Sequence, residues 1–409
     1  MSIYVAVLIL LVGAGTGVPG VAAFGVVAVG VAIVRATWFR TGSAVVSYRR
    51  HLATDRAVCG DQIGLDIAVH NRGPLPLPWV RTVDWLGRGV AVQRHAQTAE
   101  AAESASDELV NGWSLGPFET VVRHFAIATR RRGVYELGPL TLSAGDLLGR
   151  AMPLHEDEGR DRYLVRPRMV AVHGATDSRD WEGDRLARHG LTEDPSRFAG
   201  IRPYQVGDPL RRVHWRASAR AGTLLTRRFD PSRRRDVLLA LDLRVPRGPG
   251  IGAAERDAST EGLVVIAMSL ARLLHDEGAA VGLAVAGFGV GTGRHLLLPP
   301  NSTEAGLALI ADMLARLDAV PSMAFPALLG EVGRRLAPGT TIATIGAVDP
   351  TESLPAMRRL RRAGFGAIHL AFGDEAATFV ARTRAAGIQA RIARLDGSWS
   401  TSERLELVG

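Results

Sequence analysis

From residue 237 to residue 395 short, continuously apolar runs alternate with helical patterns, and that alternation restricts the fold more than any other feature. The runs lie at 237–243, 281–286, 341–345, 367–372 and 388–395, and the helical patterns at 254–275, 303–317, 325–336, 351–363 and 375–386. Strands that are apolar on both faces must be covered on both, which means a parallel sheet flanked by helices. Such sheets gather ligands at the carboxyl ends of their strands. Two aspartates stand at such ends: Asp242 closes the first run and Asp349 follows the third.

Upstream the period changes. Ile63, Leu65, Ile67 and Val69 alternate with polar or small residues, the pattern of a strand with one buried face. Similar short runs at 80–85, 121–129, 134–142 and 163–165 are separated by glycine, proline and acidic loops. They predict an antiparallel β-sandwich over residues 44–170. Two acidic loops, Glu100, Glu103, Asp107 and Glu108, then Glu156, Asp157, Glu158 and Asp161, read as solvated surface or as partners for arginines further along.

Residues 3–34 carry no charged side chain. As one helix they would be about 48 Å long, against a hydrocarbon layer of about 30 Å. Over residues 1–40 this predicts either one tilted span or a hairpin of two short spans broken at 15–20. Arg35, Arg40, Arg49 and Arg50 follow the apolar stretch and no basic residue precedes it, which assigns the rest of the chain to the cytoplasmic side. Gly15-x-Gly17-x-x-Gly20 copies the dinucleotide fingerprint. It lacks the amphipathic helix and the acidic residue that fingerprint needs, since the first acid is Asp55.

All 49 basic residues are arginine. Without lysine there is no phosphate-loop lysine, no Schiff base and no Ser-x-x-Lys acyl transfer. A lone cysteine, Cys59, excludes a disulfide scaffold and cysteine-rich metal modules. The arginines concentrate between 197 and 236, where eleven face three aspartates, a local excess as large as the net charge of +8 of the whole chain. Within this connector, residues 171–235, Asp208 suits an N-cap, Pro209 the first helical position and Gly222 the C′ position. A helix over 209–221 is predicted, with Arg212, Arg216 and Arg220 on one face. Like charges at that spacing repel, so the stripe calls for carboxylates within the fold or an anionic surface outside it. His214 beside Trp215 has no nucleophile motif to serve and reads as a satisfied core residue. Few aromatics and no groove-reading motif speak against nucleic acid.

Phe198, Gly200, Arg202, Tyr204, Gly207, Asp208, Arg211, Trp215, Ser218, Ala219 and Arg220 resemble, in type and spacing, the signature of the bacterial family called domain of unknown function 58. The segment 131–139 and the N-terminal apolar pair fit the same family. Arg197 departs from it, standing where an acidic residue is usual, as does Leu147, where a proline commonly follows the aspartate. The last domain resembles a von Willebrand factor type A domain, in which Asp-x-Ser-x-Ser and a later aspartate hold a divalent cation. Here Arg244 and Pro246 replace the two serines. The resemblance implies a degenerate magnesium site at Asp242 and Asp349, in which Arg244 would neutralise Asp242.

The expected fold is α/β plus all-β. It comprises an N-terminal transmembrane segment or hairpin (1–40), a β-sandwich (44–170), the arginine-rich connector (171–235) and a doubly wound, von Willebrand factor A-like parallel sheet (236–400). The expected function is that of a membrane-anchored adaptor with no catalytic and no cofactor-binding residues. It would dock proteins through Arg202, Tyr204, Gly207, Asp208, Arg211, Arg212, Trp215, Arg216, Ser218 and Arg220. The resemblance implies a MoxR-type AAA+ ATPase and a transglutaminase-like membrane protein as partners. The alternative is metal-dependent ligand binding through Asp242 and Asp349.

Overall fold

A computed structural model describes residues 3–17, 19–42, 46–87, 90–94, 107–145, 151–157, 159–174, 193–205, 213–231, 235–246, 251–289, 295–321 and 323–409. The chain divides into two units, Met1–Arg166 and Pro167–Gly409.

The apolar N-terminal stretch is a pair of helices, Ile3–Thr16 and Pro19–Gly42. The break at Gly17, in the left-handed region at φ 68°, leaves the first helix only 14 residues, about 21 Å. The apolar part of the second stops before Arg35, roughly 24 Å along. Among the described residues no helix is long and apolar enough to cross a membrane. The transmembrane segment or hairpin expected over 1–40 is thereby corrected to a short apolar helical hairpin. Ala6, Ala28 and Ala32 are buried in it. Gly13 and Gly25 allow the close approach, since a Cβ would lie 2.5 Å from the Ala22 N at the first and 2.5 Å from the Leu10 Cα at the second.

The remainder of the first unit is a sandwich. One antiparallel sheet runs in the order Val46–Leu52, Gln62–Asn71, Thr120–Ala128, Ala91–Arg94; the other runs Ala151–Asp157, Leu140–Gly145, Leu77–Trp85, Glu108–Leu115. Ile63, Leu65, Ile67 and Val69 from the first sheet share one core with Val80, Trp113, Leu115 and Leu142 from the second. A third, three-stranded sheet joins Arg56–Val58, Asp161–Arg166 and Gly133–Leu137. The run at 134–142 is two strands rather than one, because Gly138, at φ 100°, and Pro139 interrupt the ladder. Glu108 lies on a strand, not in an acidic loop.

Among the described residues of the second unit, nine strands form one sheet. Its centre is parallel, in the order Gln389–Leu395, Gly366–Ala371, Thr341–Gly346, Asp236–Leu241, Ala280–Gly289. Arg404–Val408 and His295–Asn301 flank it in antiparallel fashion. Val237, Leu239 and Leu241 bury one face in the same core as Leu263, Val264 and Leu270 of the helix Ala253–Asp276. Leu238 and Ala240 bury the other in a core with residues of Phe325–Arg335 and Leu354–Arg362. The chain leaves Asp236–Leu241 over one face and reaches its other neighbour, Thr341–Gly346, over the opposite face. A switch point therefore opens between these two strands, at their carboxyl ends.

Candidate functional site

The switch point puts Asp242 one residue beyond its strand, where its N–H donates to the Ile345 carbonyl at 2.9 Å. The Asp242 side chain is 7% exposed, and burial of an ionised group requires a partner. Arg244, two residues on, supplies it. Its Nε lies 3.0 Å from Oδ1 and 3.1 Å from Oδ2, its Nη2 2.7 Å from Oδ2, and its backbone N–H donates to Oδ1 at 3.1 Å. The remaining arm, Nη1, donates to Glu352 Oε2 at 2.6 Å. These hydrogen bonds, those to Asp242 foremost, raise the Arg244 pKa further.

Asp349 is committed elsewhere. It caps the short helix Pro350–Glu352 by accepting from Thr351 N at 2.9 Å, accepts from Thr351 Oγ1 at 2.6 Å, and forms an ion pair with Arg382 of the helix Ala376–Ala385. A divalent cation does not fit this donor set. Both oxygens of Asp242 already face a guanidinium, positions 244 and 246 offer no hydroxyl, and Arg382 holds Asp349. Among the described residues no group of three or more histidine, cysteine, aspartate or glutamate side chains could hold a metal.

Beneath the carboxyl end, Gly346 lacks the side chain that would otherwise separate two polar groups. A Cβ there would stand 3.4 Å from the Asp242 Cβ and 3.8 Å from the His369 Cε1. His369 lies on a central strand with its Nδ1 3.0 Å from the Thr344 hydroxyl. Burial lowers its pKa to about 4. Neither Glu352, Arg382 nor His369 was marked by sequence pattern. The Asp-Pro-Thr-Glu stretch at 349–352 is the one sequence feature that could have placed a second acid, Glu352, after the third strand.

The arginine-rich connector folds differently from its reading. Gly207, Asp208, Arg211 and Arg212 lie outside the described residues. The described helix is Trp215–Ala221, shorter than the 209–221 expected, because Val213 is bridged to Thr226 and His214 takes the N-cap. The His214 Nδ1 accepts from Ala217 N at 3.2 Å, a structural use of the ring. At the other end Gly222 is left-handed, at φ 68°. Two strands that no periodicity announced, Glu193–Pro203 and Leu225–Pro231, pair antiparallel and carry Arg202. Tyr204 follows them, its N–H donating to the Leu224 carbonyl at 2.9 Å. Ser218 fastens the helix to this ribbon: its Oγ accepts from Leu225 N at 2.9 Å and donates to the His214 carbonyl at 3.1 Å. What remains outward is Trp215, 64% exposed, with exposed Arg216 and Arg220.

Acidic groups of the sandwich answer a nearer arginine. Arg50 donates through Nη1 to buried Asp84 at 3.1 Å, through Nη2 to the Gly159 carbonyl at 2.8 Å, and pairs through Nε with Asp161 at 3.0 Å. Tyr48 donates its hydroxyl to the other oxygen of Asp84. Burial pushes both the Asp84 carboxyl and the Tyr48 phenol upward.

Comparison with known proteins bears on the connector and the start of the sheet. Residues 200–336 match the family described as Protein of unknown function DUF58. The uncharacterized protein YeaD of Bacillus subtilis (strain 168) is 25% identical over 229 residues, covering 56% of this chain and 52% of that protein. The chain thus spans about half the length of the curated relative it matches. Among solved structures, the CARDB domain of the PF1109 protein of Pyrococcus furiosus is similar at 16% identity over 29% of this chain and 91% of that one, with a TM-score of 0.20. The sporulation control protein Spo0M of Bacillus subtilis matches at 14% identity over 30% of this chain and 50% of that one, with a TM-score of 0.21.

Proposed function

We propose, from the match of residues 200–336 to the family described as Protein of unknown function DUF58, that this chain is a non-enzymatic adaptor that docks other proteins. One observation carries the reading. On a helix of two turns, Trp215 is 64% exposed and is followed by Arg216 and Arg220, which are exposed with no carboxylate partner among the described residues. Exposed tryptophan and arginine are the side chains that most often anchor protein interfaces. Ser218 and the His214 cap hold the helix in place, so the outward face is presented in one orientation rather than sampled. The second unit, with its von Willebrand factor A-like sheet, supplies the other docking surface, without a metal. The family resemblance suggests a MoxR-type AAA+ ATPase and a transglutaminase-like membrane protein as partners. The outer faces of the N-terminal hairpin, with Leu8, Leu11, Phe24 and Val27 exposed, suit a lipid surface entered from one side, the remaining domains standing on the cytoplasmic face.

The test is capture from detergent-solubilised membranes by the full chain, read by mass spectrometry. Trp215→Ala combined with Arg216→Gln and Arg220→Gln should lose the captured proteins while the thermal unfolding curve stays the same. Undiminished capture by the triple variant would exclude the helix as the docking face.

A further inference from the structure

At the switch point of the sheet a cation is carried on the chain itself. Asp242 is buried and holds Arg244 by three contacts from Nε and Nη2 plus one from the backbone, so the guanidinium is fixed in orientation. The arm that points away, Nη1, meets the carboxylate of Glu352, a side chain 71% exposed, while Arg244 itself is 30% exposed. The two halves of this cluster therefore differ in kind. The buried half is pre-organised, whereas the exposed ion pair is worth little and exchanges readily with solvent.

We propose that Arg244 is a receptor for a carboxylate presented by a partner protein, and that Glu352 is the intramolecular placeholder occupying it in the unpartnered chain. Guanidinium N–H groups recognise carboxylates by directional, charge-assisted hydrogen bonds, and a fixed fork loses less freedom on binding than a mobile one. The place agrees, because crevices at strand carboxyl ends are where sheets of this kind take ligands. The misfit of a metal agrees too: the positive charge that would receive an acidic group is already present as Arg244. The inference rests on the docking reading above and narrows it to an acidic residue on the partner.

The experiment uses the full chain and a fluorescein-labelled hexaglutamate peptide, titrated by fluorescence anisotropy at fixed salt. Glu352→Gln leaves Nη1 at most a neutral amide oxygen in place of a carboxylate, which an ionised peptide side chain displaces, and should tighten the peptide about tenfold. Glu406→Gln, on the strand Arg404–Val408, makes the same change of charge elsewhere and should leave affinity unaltered. Arg244→Lys in the Glu352→Gln chain keeps the charge, removes the fork and should abolish the gain. A gain under about twofold, or an equal gain in Glu406→Gln, would overturn the receptor, since it would reduce the effect to net charge. Displacement of the peptide by inorganic phosphate at lower concentration than by free glutamate would also overturn it, in favour of a phosphate site. Membrane capture by the Trp215, Arg216 and Arg220 variant reports separately. Loss of capture there, with no gain in Glu352→Gln, removes the receptor and leaves the docking reading standing.

Discussion

The ring of His369 stands 3.0 Å from the hydroxyl of Thr344 on the adjacent parallel strand, and its far nitrogen, Nε2, is buried with no hydrogen-bond partner among the described residues. The Thr344 hydroxyl also donates to the Ile368 carbonyl at 3.2 Å, so the shared bond is donated by the ring Nδ1–H. A protonated imidazolium would bring a charge into this core with one nitrogen unmet.

Acid should therefore weaken the second unit in a defined window. Burial holds the folded-state pKa at about 4, below the value of about 6.5 for an unfolded histidine. The stabilisation is fully present above about pH 6.5 and is lost progressively as pH falls toward 4, by roughly 3 kcal/mol at most. Urea midpoints measured at pH 7, 5.5 and 4.5 should fall in that order, and His369→Gln should flatten the trend. A trend of unchanged slope in that variant would assign the acid sensitivity to other groups.

Removing the guanidinium from the switch point should expose what it neutralises. Arg244→Leu leaves the Asp242 side chain, 7% exposed, without its partner, and stability should fall by about 1–3 kcal/mol, discounted because the arginine is itself partly solvated. Adding Asp242→Asn to the same chain should return most of that loss. The pair of substitutions, measured as a double-mutant cycle by chemical denaturation, should yield a strongly non-additive sum.

Millimolar magnesium or manganese should leave the melting temperature of the unmodified chain where it is, because both oxygens of Asp242 are engaged. Arg244→Ser removes the competing charge but leaves Pro246 without a hydroxyl and Asp349 paired with Arg382, so magnesium should still produce no rise in that variant. Differential scanning fluorimetry with and without chelator reads both.

Ser218→Ala should loosen the signature helix without unfolding the sheet. It leaves the Leu225 amide, in a partly buried position, without its acceptor, which costs about 1 kcal/mol locally. Hydrogen exchange at Leu225 should accelerate, and the fluorescence of exposed Trp215 should report the same opening. The amides of Leu238 and Leu239, in the sheet core, should stay protected.

In the sandwich, Asp84→Leu would leave Arg50, whose side chain is only 7% exposed, without its buried partner, and should cost about 3 kcal/mol. Tyr48→Phe removes one hydrogen bond from the same carboxylate and should cost about 1 kcal/mol. Urea denaturation of both variants gives the ratio.

The parallel sheet was legible because its signal is local: the apolar run at 237–243 needs nothing beyond itself to declare a strand, and the strand is Asp236–Leu241. Alternation at 63–69 similarly announces Gln62–Asn71. Val46–Leu52 was hidden, since it sits in a basic linker and alternates too weakly, and Leu225–Pro231 was hidden among arginines. Their pairing depends on partners far along the chain. At the N-terminal stretch the break expected at 15–20 falls at Gly17; what failed is the expectation of spans, because composition measures how apolar a segment is and not how long each helix between turns becomes. At the site, Arg244 could be placed beside Asp242 from two letters, but its hydrogen bond to Glu352, more than a hundred residues away, is a product of topology. The roles of His214 and Ser218 were likewise invisible, because a cap and a clasp are made of backbone groups that no side-chain pattern encodes.

Arg244 has one consequence for how the second unit behaves in a living cell. A positive charge tethered by a peptide bond has no dissociation constant. It cannot be chelated, outcompeted by another ion or diluted away as ionic conditions fluctuate, so the carboxyl end of the sheet keeps the same electrostatic character from synthesis to degradation.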